Sequence, residues 1–206
     1  MSLAQSERTF AGIVLAAGLS SRMGSPKMLL PWKYSTVLDH LLKTLSISPI
    51  NELLVVTGSN AWEIDQIASR YHCKTVFNPD FANGSMLVSL QVGLRELSRE
   101  ADAFFLILGD QPFLKIELIE EMEKIYNKKP GLIVIPSFQM RRGHPWLIDS
   151  SFKNEILNIS EPMTLRVFLK TYEEAISYCV VDEPSILEDM DNPNDYQRLY
   201  STLGSI

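Results

Sequence analysis

The residues able to do chemistry gather in a few short stretches, and the first of them follows an apolar run near the N-terminus. Leu15-Ala16-Ala17-Gly18-Leu19-Ser20-Ser21-Arg22-Met23-Gly24-Ser25-Pro26-Lys27 mixes small residues with hydroxyls and two cations. Small side chains at 16 to 18 let the backbone come close to a ligand, and Gly18 and Gly24 permit turns with positive φ. Unpaired N–H groups in such a loop, with the Ser20 and Ser21 hydroxyls, form an anion-binding concavity. Arg22 and Lys27 add the fixed positive charge that a triphosphate needs. Five residues separate Gly18 from Gly24 and no lysine follows Gly24 directly, so this is not a P-loop, nor is it the dinucleotide-binding turn. A plain strand-to-helix connection with solvated basic residues would use the same residue types.

Acidic residues supply the counterpart. Ala103–Leu108 runs into Gly109-Asp110-Gln111-Pro112, and a carboxylate at the tip of a buried strand is placed to hold Mg²⁺, a cation that prefers oxygen ligands. Alternation in Asp189-Met190-Asp191 puts both carboxylates on one side of an extended segment. Helix caps or acidic turns are the competing roles, and Asp195 reads as a helix-start residue. Arg141-Arg142-Gly143-His144-Pro145-Trp146 is the most basic spot in the chain. Its arginines can grip a phosphate and its aromatic can stack on a heterocycle; a surface hairpin is the alternative. Asn78-Pro79, with Gly84, Ser85, Met86 and Ser89 beyond it, opens a helix whose amides and hydroxyls can read a base edge or a ribose.

These residues need rigid elements to hold them. Short β-branched and aliphatic runs at Phe10–Leu15, Leu53–Thr57, Lys74–Phe77, Ala103–Leu108, Leu132–Pro136 and Ile176–Val181 read as strands, several of them continuous apolar runs of the kind that helices cover on both faces. Between them, Val37, Leu38, Leu41, Leu42 and Leu45 form one helical stripe, and Met86, Leu87, Leu90, Leu94 and Leu97 a second. Ile116, Ile119, Met122 and Ile125 form a third. The alternation predicts a three-layer α/β/α, Rossmann-like fold on a mostly parallel sheet, as one domain over residues 1–206. In such sheets ligands bind beyond the carboxyl ends of the strands, which is where the unusual residues fall.

Composition narrows the partners. The chain has 206 residues, 46% of them hydrophobic, and 19 Lys and Arg against 25 Asp and Glu give a formal charge of −6. An acidic balance argues against wrapping nucleic acid, and no apolar run approaches the ~20 residues of a membrane span. Cys73 and Cys179 are expected as buried reduced thiols rather than a disulfide, and the scattered His40, His72 and His144 have no zinc-site spacing. With no signal-peptide pattern ahead of the glycine loop, a cytoplasmic protein is expected.

Taken together, Leu-Ala-Ala-Gly-x-Ser-x-Arg-Met-Gly-x-x-Lys over residues 15–27 resembles the signature of the MobA-like nucleoside-triphosphate transferases, and within them the molybdenum cofactor cytidylyltransferase branch. Gly109-Asp110-Gln111-Pro112, Arg142-Gly143-His144-Pro145 and Asp189-x-Asp191 resemble further motifs of that family. The resemblance implies a fold of the nucleotide-diphospho-sugar transferase type. It implies phosphate binding by Lys27 and Arg22, base contacts from the Leu15–Ala17 backbone and from Gly84, Ser85 and Ser89, and Mg²⁺ shared by Asp110 and Asp191 with Asp189 in reserve. Arg142, Gly143, His144 and Pro145 would border the acceptor, a molybdopterin-type phosphate.

The implied reaction transfers CMP from CTP to that phosphate, releasing pyrophosphate. Ala17 favours CTP over GTP, because its methyl narrows the base pocket. A guanylyl transfer, a different phosphorylated acceptor, or a cofactor carrier serving a molybdoenzyme or its chaperone are the other readings. Two departures stand out. Ser85 intervenes between Gly84 and Met86, and of the Gly-Asp-x-Gly-Ala-Arg seen in relatives only Arg166 survives in Glu161-Pro162-Met163-Thr164-Leu165-Arg166.

Overall fold

A computed structural model describes residues 8–98, 100–160 and 162–203. Numbered in chain order, its strands and helices begin with β1 (Phe10–Ala16), a small ribbon of β2 (Pro31–Trp32) and β3 (Ser35–Thr36), and α1 (Val37–Leu45). Next come β4 (Glu52–Thr57), α2 (Ala61–Ala68), β5 (Lys74–Phe77), α3 (Met86–Glu96), β6 (Ala103–Leu108) and α4 (Ile116–Lys128). The second half holds β7 (Ile133–Phe138), β8 (Arg141–Arg142), β9 (Trp146–Asp149), α5 (Lys153–Leu157), α6 (Leu165–Thr171), β10 (Ile176–Val180) and α7 (Pro193–Thr202).

The main sheet runs β10-β7-β9-β6-β1-β4-β5, with β8 added to β7. Its pairs are parallel except where β9 lies between β6 and β7 and where β8 folds back on β7. Every predicted strand is present within two residues of its expected limits. The antiparallel β9 was not foreseen. Trp146-Leu147-Ile148 is too short an apolar run to stand out, and it becomes a strand because β6 and β7 supply hydrogen-bonding edges on both sides.

Two apolar layers enclose the sheet. One face packs Leu38, Leu41, Leu42, Ile64, Ile119, Met122 and Tyr126 from α1, α2 and α4 against β-strand residues such as Val14 and Phe105. The other packs Leu87, Leu90, Leu94, Leu165 and Phe168 from α3 and α6 against Ile13, Phe104 and Ile135. The helix starts are locally encoded: Thr36 caps α1 by accepting the Asp39 N–H at 3.3 Å. One member of the second stripe does not behave as expected. Met86, the first residue of α3, is 41% exposed at the helix start rather than joining the core.

A third, smaller cluster does the positioning. Met23 from the glycine loop, Trp32 from the ribbon, Val37, Met190 and Leu199 from α7 bury one another beyond the end of the sheet. Because Met190 is fully buried there, its neighbours Asp189 and Asp191 are turned the other way, toward the strand ends. Both cysteines are buried and free, and burial pushes the Cys73 thiol up to about 11. No described helix is long and apolar enough to cross a membrane.

Close approach of α3 to the sheet depends on Gly93, where an added Cβ would lie 2.6 Å from Ile13 Cγ2 and 3.1 Å from Val56 Cγ2. Gly93→Ala is expected to lose about 1–3 kcal/mol of stability in urea titration, despite alanine's better helix propensity. Unchanged or raised stability would mean that the helix can shift away without penalty.

Candidate active site

Strands β1 and β6 end in register, Leu15 beside Leu108, and the Gly109 N–H donates to the Leu15 carbonyl at 3.0 Å. The glycine loop and Asp110 therefore leave the sheet side by side. Beyond them lies a cleft of about 560 Å³. Its walls include Leu15, Ala17, Gly18 and Lys27 from the loop, Gly84, Ser85 and Ser89 from the start of α3, and Asp110. Arg142, Gly143 and His144 close another side, and Asp189 and Asp191 complete it. Segments far apart in sequence thus converge on one cleft.

At its centre is a partly buried ion cluster. Lys27 Nζ lies 2.5 Å from Asp110 Oδ2 and 3.4 Å from Asp191 Oδ1. Burial alone would lower the lysine's pKa, but the two carboxylates outweigh it, and the ammonium is held above its ordinary value. Arg22 reaches Asp191 Oδ2 at 2.9 Å from the outside. Asp189 is pushed up, first by burial and then by the charges of Asp110 and Asp191. Gln111 Nε2 donates to its Oδ1 at 3.4 Å.

Not every expected residue faces the cleft. Ala16 is buried within β1, and Arg22, with 73% of its side chain exposed, touches the site only through Asp191. Ser20 and Gly24 shape the loop: the Ser20 Oγ accepts the Lys27 N–H at 3.1 Å, and both residues take positive φ, 53° and 70°. Pro145 is buried behind a cis His144–Pro145 bond. Asn192 caps α7, accepting the Asn194 and Asp195 N–H groups, while Asp195 accepts the Asp191 N–H at 3.3 Å. Asp195 is the helix-start residue that was expected.

Trp146 requires a correction. Instead of offering a face to a heterocycle, it is buried in β9, donates its Nε1–H to the Gly143 carbonyl at 2.9 Å, and stacks on His144 at 4.8 Å. His144 Nε2 is buried without a partner, and burial lowers the ring's pKa to about 4. Its ring is a neutral packing element. Gly143 is required here for space: a Cβ would lie 2.3 Å from the Ile186 carbonyl oxygen, whose segment seats Asp189. The Arg142 guanidinium is aimed by Tyr178, whose Oη accepts from Nε at 2.9 Å and from Nη2 at 2.5 Å.

Further cleft residues escaped the sequence reading as site members: Met28, Phe81, Leu108, Ile186 and Leu187. They are apolar, and nothing in their type separates a cleft lining from a core. Gln111, Arg141 and Arg166 also line it; the motifs that contain them were legible, but their facing was not. Ser85 sits at the N-cap position of α3 and makes no side-chain cap bond, so the inserted residue keeps a free hydroxyl at the cleft. Glu161 lies outside the described residues; Thr164 and Leu165 start α6, which carries Arg166 to the rim.

Asp110, Asp189 and Asp191 offer the hard oxygen donors that suit a divalent cation, and Asp189 is raised by burial and then by its carboxylate neighbours, the second of which a dication would offset. Among the described residues, no three His, Cys, Asp or Glu side chains stand together as a finished metal cage. Lys27 is the positive charge between the carboxylates here.

A parallel sheet with a glycine loop, a strand-tip aspartate and a basic rim defines a nucleotide-binding α/β protein, and the comparisons narrow this. Residues 12–176 match the MobA-like NTP transferase domain, and the chain belongs to that family. It is 30% identical to the Molybdenum cofactor cytidylyltransferase of Escherichia coli, over 89% of this chain and 92% of that one. It is 27% identical to the Nicotine blue oxidoreductase of Paenarthrobacter nicotinovorans, over 91% and 95%. A Probable molybdenum cofactor guanylyltransferase of Bacillus cereus is 32% identical over 57% of this chain and 59% of its own length. Among solved structures, a Mycobacterium tuberculosis protein superposes with a TM-score of 0.82 at 24% identity, covering 94% of this chain and 98% of that one. The same protein has been solved as a manganese complex, with a TM-score of 0.78 at 23% identity over 94% and 99%.

His144 gives the site's clearest titration signature. Its folded pKa, about 4, is below the unfolded value near 6.5, so its contribution to stability is full above pH 6.5 and lost as pH falls toward 4. An NMR titration of the His144 ring is expected to place its midpoint near 4. A midpoint between 6 and 7 would mean a solvated imidazole able to act as a base.

Proposed function

We propose that the chain transfers a cytidylyl group from CTP to the terminal phosphate of a molybdopterin-type acceptor, with Mg²⁺ as the cofactor and pyrophosphate as the leaving product. The observation that carries this is the convergence of the glycine loop, Lys27, Asp110, Asp191 and Arg142 on one cleft. The fold is that of nucleotidyltransferases, and the identity to the cytidylyltransferase of Escherichia coli extends over nearly all of both chains. Such a biosynthetic role fits a cytoplasmic location.

In this reading the amides of residues 17–20 and the cationic Lys27 and Arg22 hold the triphosphate, while Arg142 and Arg166 hold the acceptor phosphate opposite. The acceptor oxygen displaces pyrophosphate at the α-phosphorus in line, and it is already ionised at neutral pH, so the neutral His144 is not required as a base. Most of the acceleration comes from placing two anions together and from positive charge at the developing oxyanions. Asp110 and Asp191, with Asp189, would hold the cation, which supplies charge neutralisation to the triphosphate when bound. The manganese complex of the Mycobacterium tuberculosis protein supports a divalent cation at this fold. Ala17 lines the cleft with its methyl group, which favours the smaller pyrimidine.

Guanylyl transfer is the second reading, favoured by the relative in Bacillus cereus. The relative named as an oxidoreductase makes redox turnover a third outcome to measure. Pyrophosphate release, followed with Mg²⁺, molybdenum-loaded molybdopterin and each common triphosphate, separates them. Release is expected with CTP; release with GTP alone would select the guanylyl reading. Release with none, together with oxidoreductase activity on nicotine blue, would overturn nucleotidyl transfer altogether.

Lys27→Ala and Asp110→Ala are each expected to lower kcat/KM about a hundredfold, a loss near 3 kcal/mol of transition-state stabilisation. Each variant should keep its circular-dichroism spectrum, because these side chains lie outside the three apolar clusters. Full turnover in either would remove that residue from the machinery.

A further inference from the structure

Asn78, at the end of β5, is fully buried, with 0% of its surface exposed, and takes no direct part in the cleft wall. Its Oδ1 accepts the Asp80 N–H at 3.0 Å, which fixes the orientation of the amide. Nδ2 then points at Ser89 Oγ, 3.0 Å away. An amide nitrogen only donates, so the Ser89 oxygen is the acceptor in this bond and its own proton must point elsewhere. A helical serine commonly gives that proton to the carbonyl four residues back. Here the Ser85 carbonyl takes the Ser89 N–H at 3.3 Å, and among the described residues no acceptor takes the Ser89 hydroxyl proton. Ser89 lines the cleft beside Gly84 and Ser85.

We infer that Asn78 is a positioning residue that fixes the hydrogen-bond polarity of Ser89, so that the cleft wall presents a donor and reads an acceptor atom of the nucleobase. The inference rests on the cytidylyl reading and deepens it. Cytosine's pairing edge carries two neighbouring acceptors, O2 and N3, whereas guanine's carries two donors beside a single acceptor, O6. A wall with a fixed donor therefore favours cytosine, independently of the space left by Ala17. An aspartate at position 78 can accept from both the Asp80 amide and the Ser89 hydroxyl, which turns the hydroxyl around while keeping its size.

Equilibrium binding of CTP and GTP with Mg²⁺, measured by calorimetry on the full chain, tests this without any acceptor. Asn78→Asp and Ser89→Ala are each expected to lower the CTP-to-GTP affinity ratio about five- to tenfold, the worth of one neutral hydrogen bond. The double variant should lose no more than Ser89→Ala alone, because both remove the same donor. Equal losses for CTP and GTP, or losses that multiply in the double variant, would show a merely structural role and overturn the inference. If Asn78→Asp does not fold, as judged by its thermal transition, Ser89→Ala decides alone: an unchanged ratio overturns the inference. Binding of neither nucleotide by the native protein would instead overturn the functional reading on which it rests.

Discussion

A lysine ammonium with 15% of its side chain exposed is tolerable only beside compensating charge, and Lys27 has Asp110 at 2.5 Å and Asp191 at 3.4 Å. Those partners lie 83 and 164 residues away in the chain. The site therefore exists only if the glycine loop, the tip of β6 and the segment before α7 are brought to one point. The flush ends of β1 and β6 fix the first two. Burial of Met23, Trp32, Met190 and Leu199 in a cluster of their own fixes the third, and an uncharged loss there would release Asp189 and Asp191 from the cleft.

On the proposed reading, the ion cluster around Lys27 also accounts for how one site would accept a highly anionic ligand in an acidic chain of net charge −6. Lys27 and Arg22 are held by carboxylates, so their charge is pre-oriented and partly neutralised. On the same reading, a triphosphate arriving with its own cation would exchange partners rather than introduce unpaired charge, its phosphates meeting Lys27 and the cation the carboxylates. Arg142, held by Tyr178 and Glu173, and Arg166 would supply the second positive wall on that reading. Packing and electrostatics have separate owners here, with the helices covering the sheet faces and the loops at its carboxyl edge carrying the charge.

Much of this was legible in sequence because it is local. Covered strands read as continuous apolar runs, and the loop's glycines, hydroxyls and cations fall within 13 consecutive positions, 15 to 27. Alternation alone placed Asp189 and Asp191 on one side. What escaped depends on tertiary context. Strand β9 needs neighbours on both edges, so the sequence leaves Trp146 between ligand stacking and a surface hairpin although it belongs to the core. Met86 fits its helical stripe by spacing, and only its place as the first residue of α3, beside the cleft, exposes it. The chain's own partner choice, Lys27 with Asp110 rather than with solvent, also has no signature in composition or period.

The most direct measurement of the central claim is a crystal structure of the protein with Mg²⁺ and a non-hydrolysable CTP analogue. The expected result has the triphosphate on the amides of residues 17–20, the base against Gly84, Ser85 and Ser89, and Lys27 Nζ moved from Asp110 to a phosphate oxygen. A nucleotide bound outside this cleft, or a Lys27 still paired with Asp110 in its presence, would contradict it.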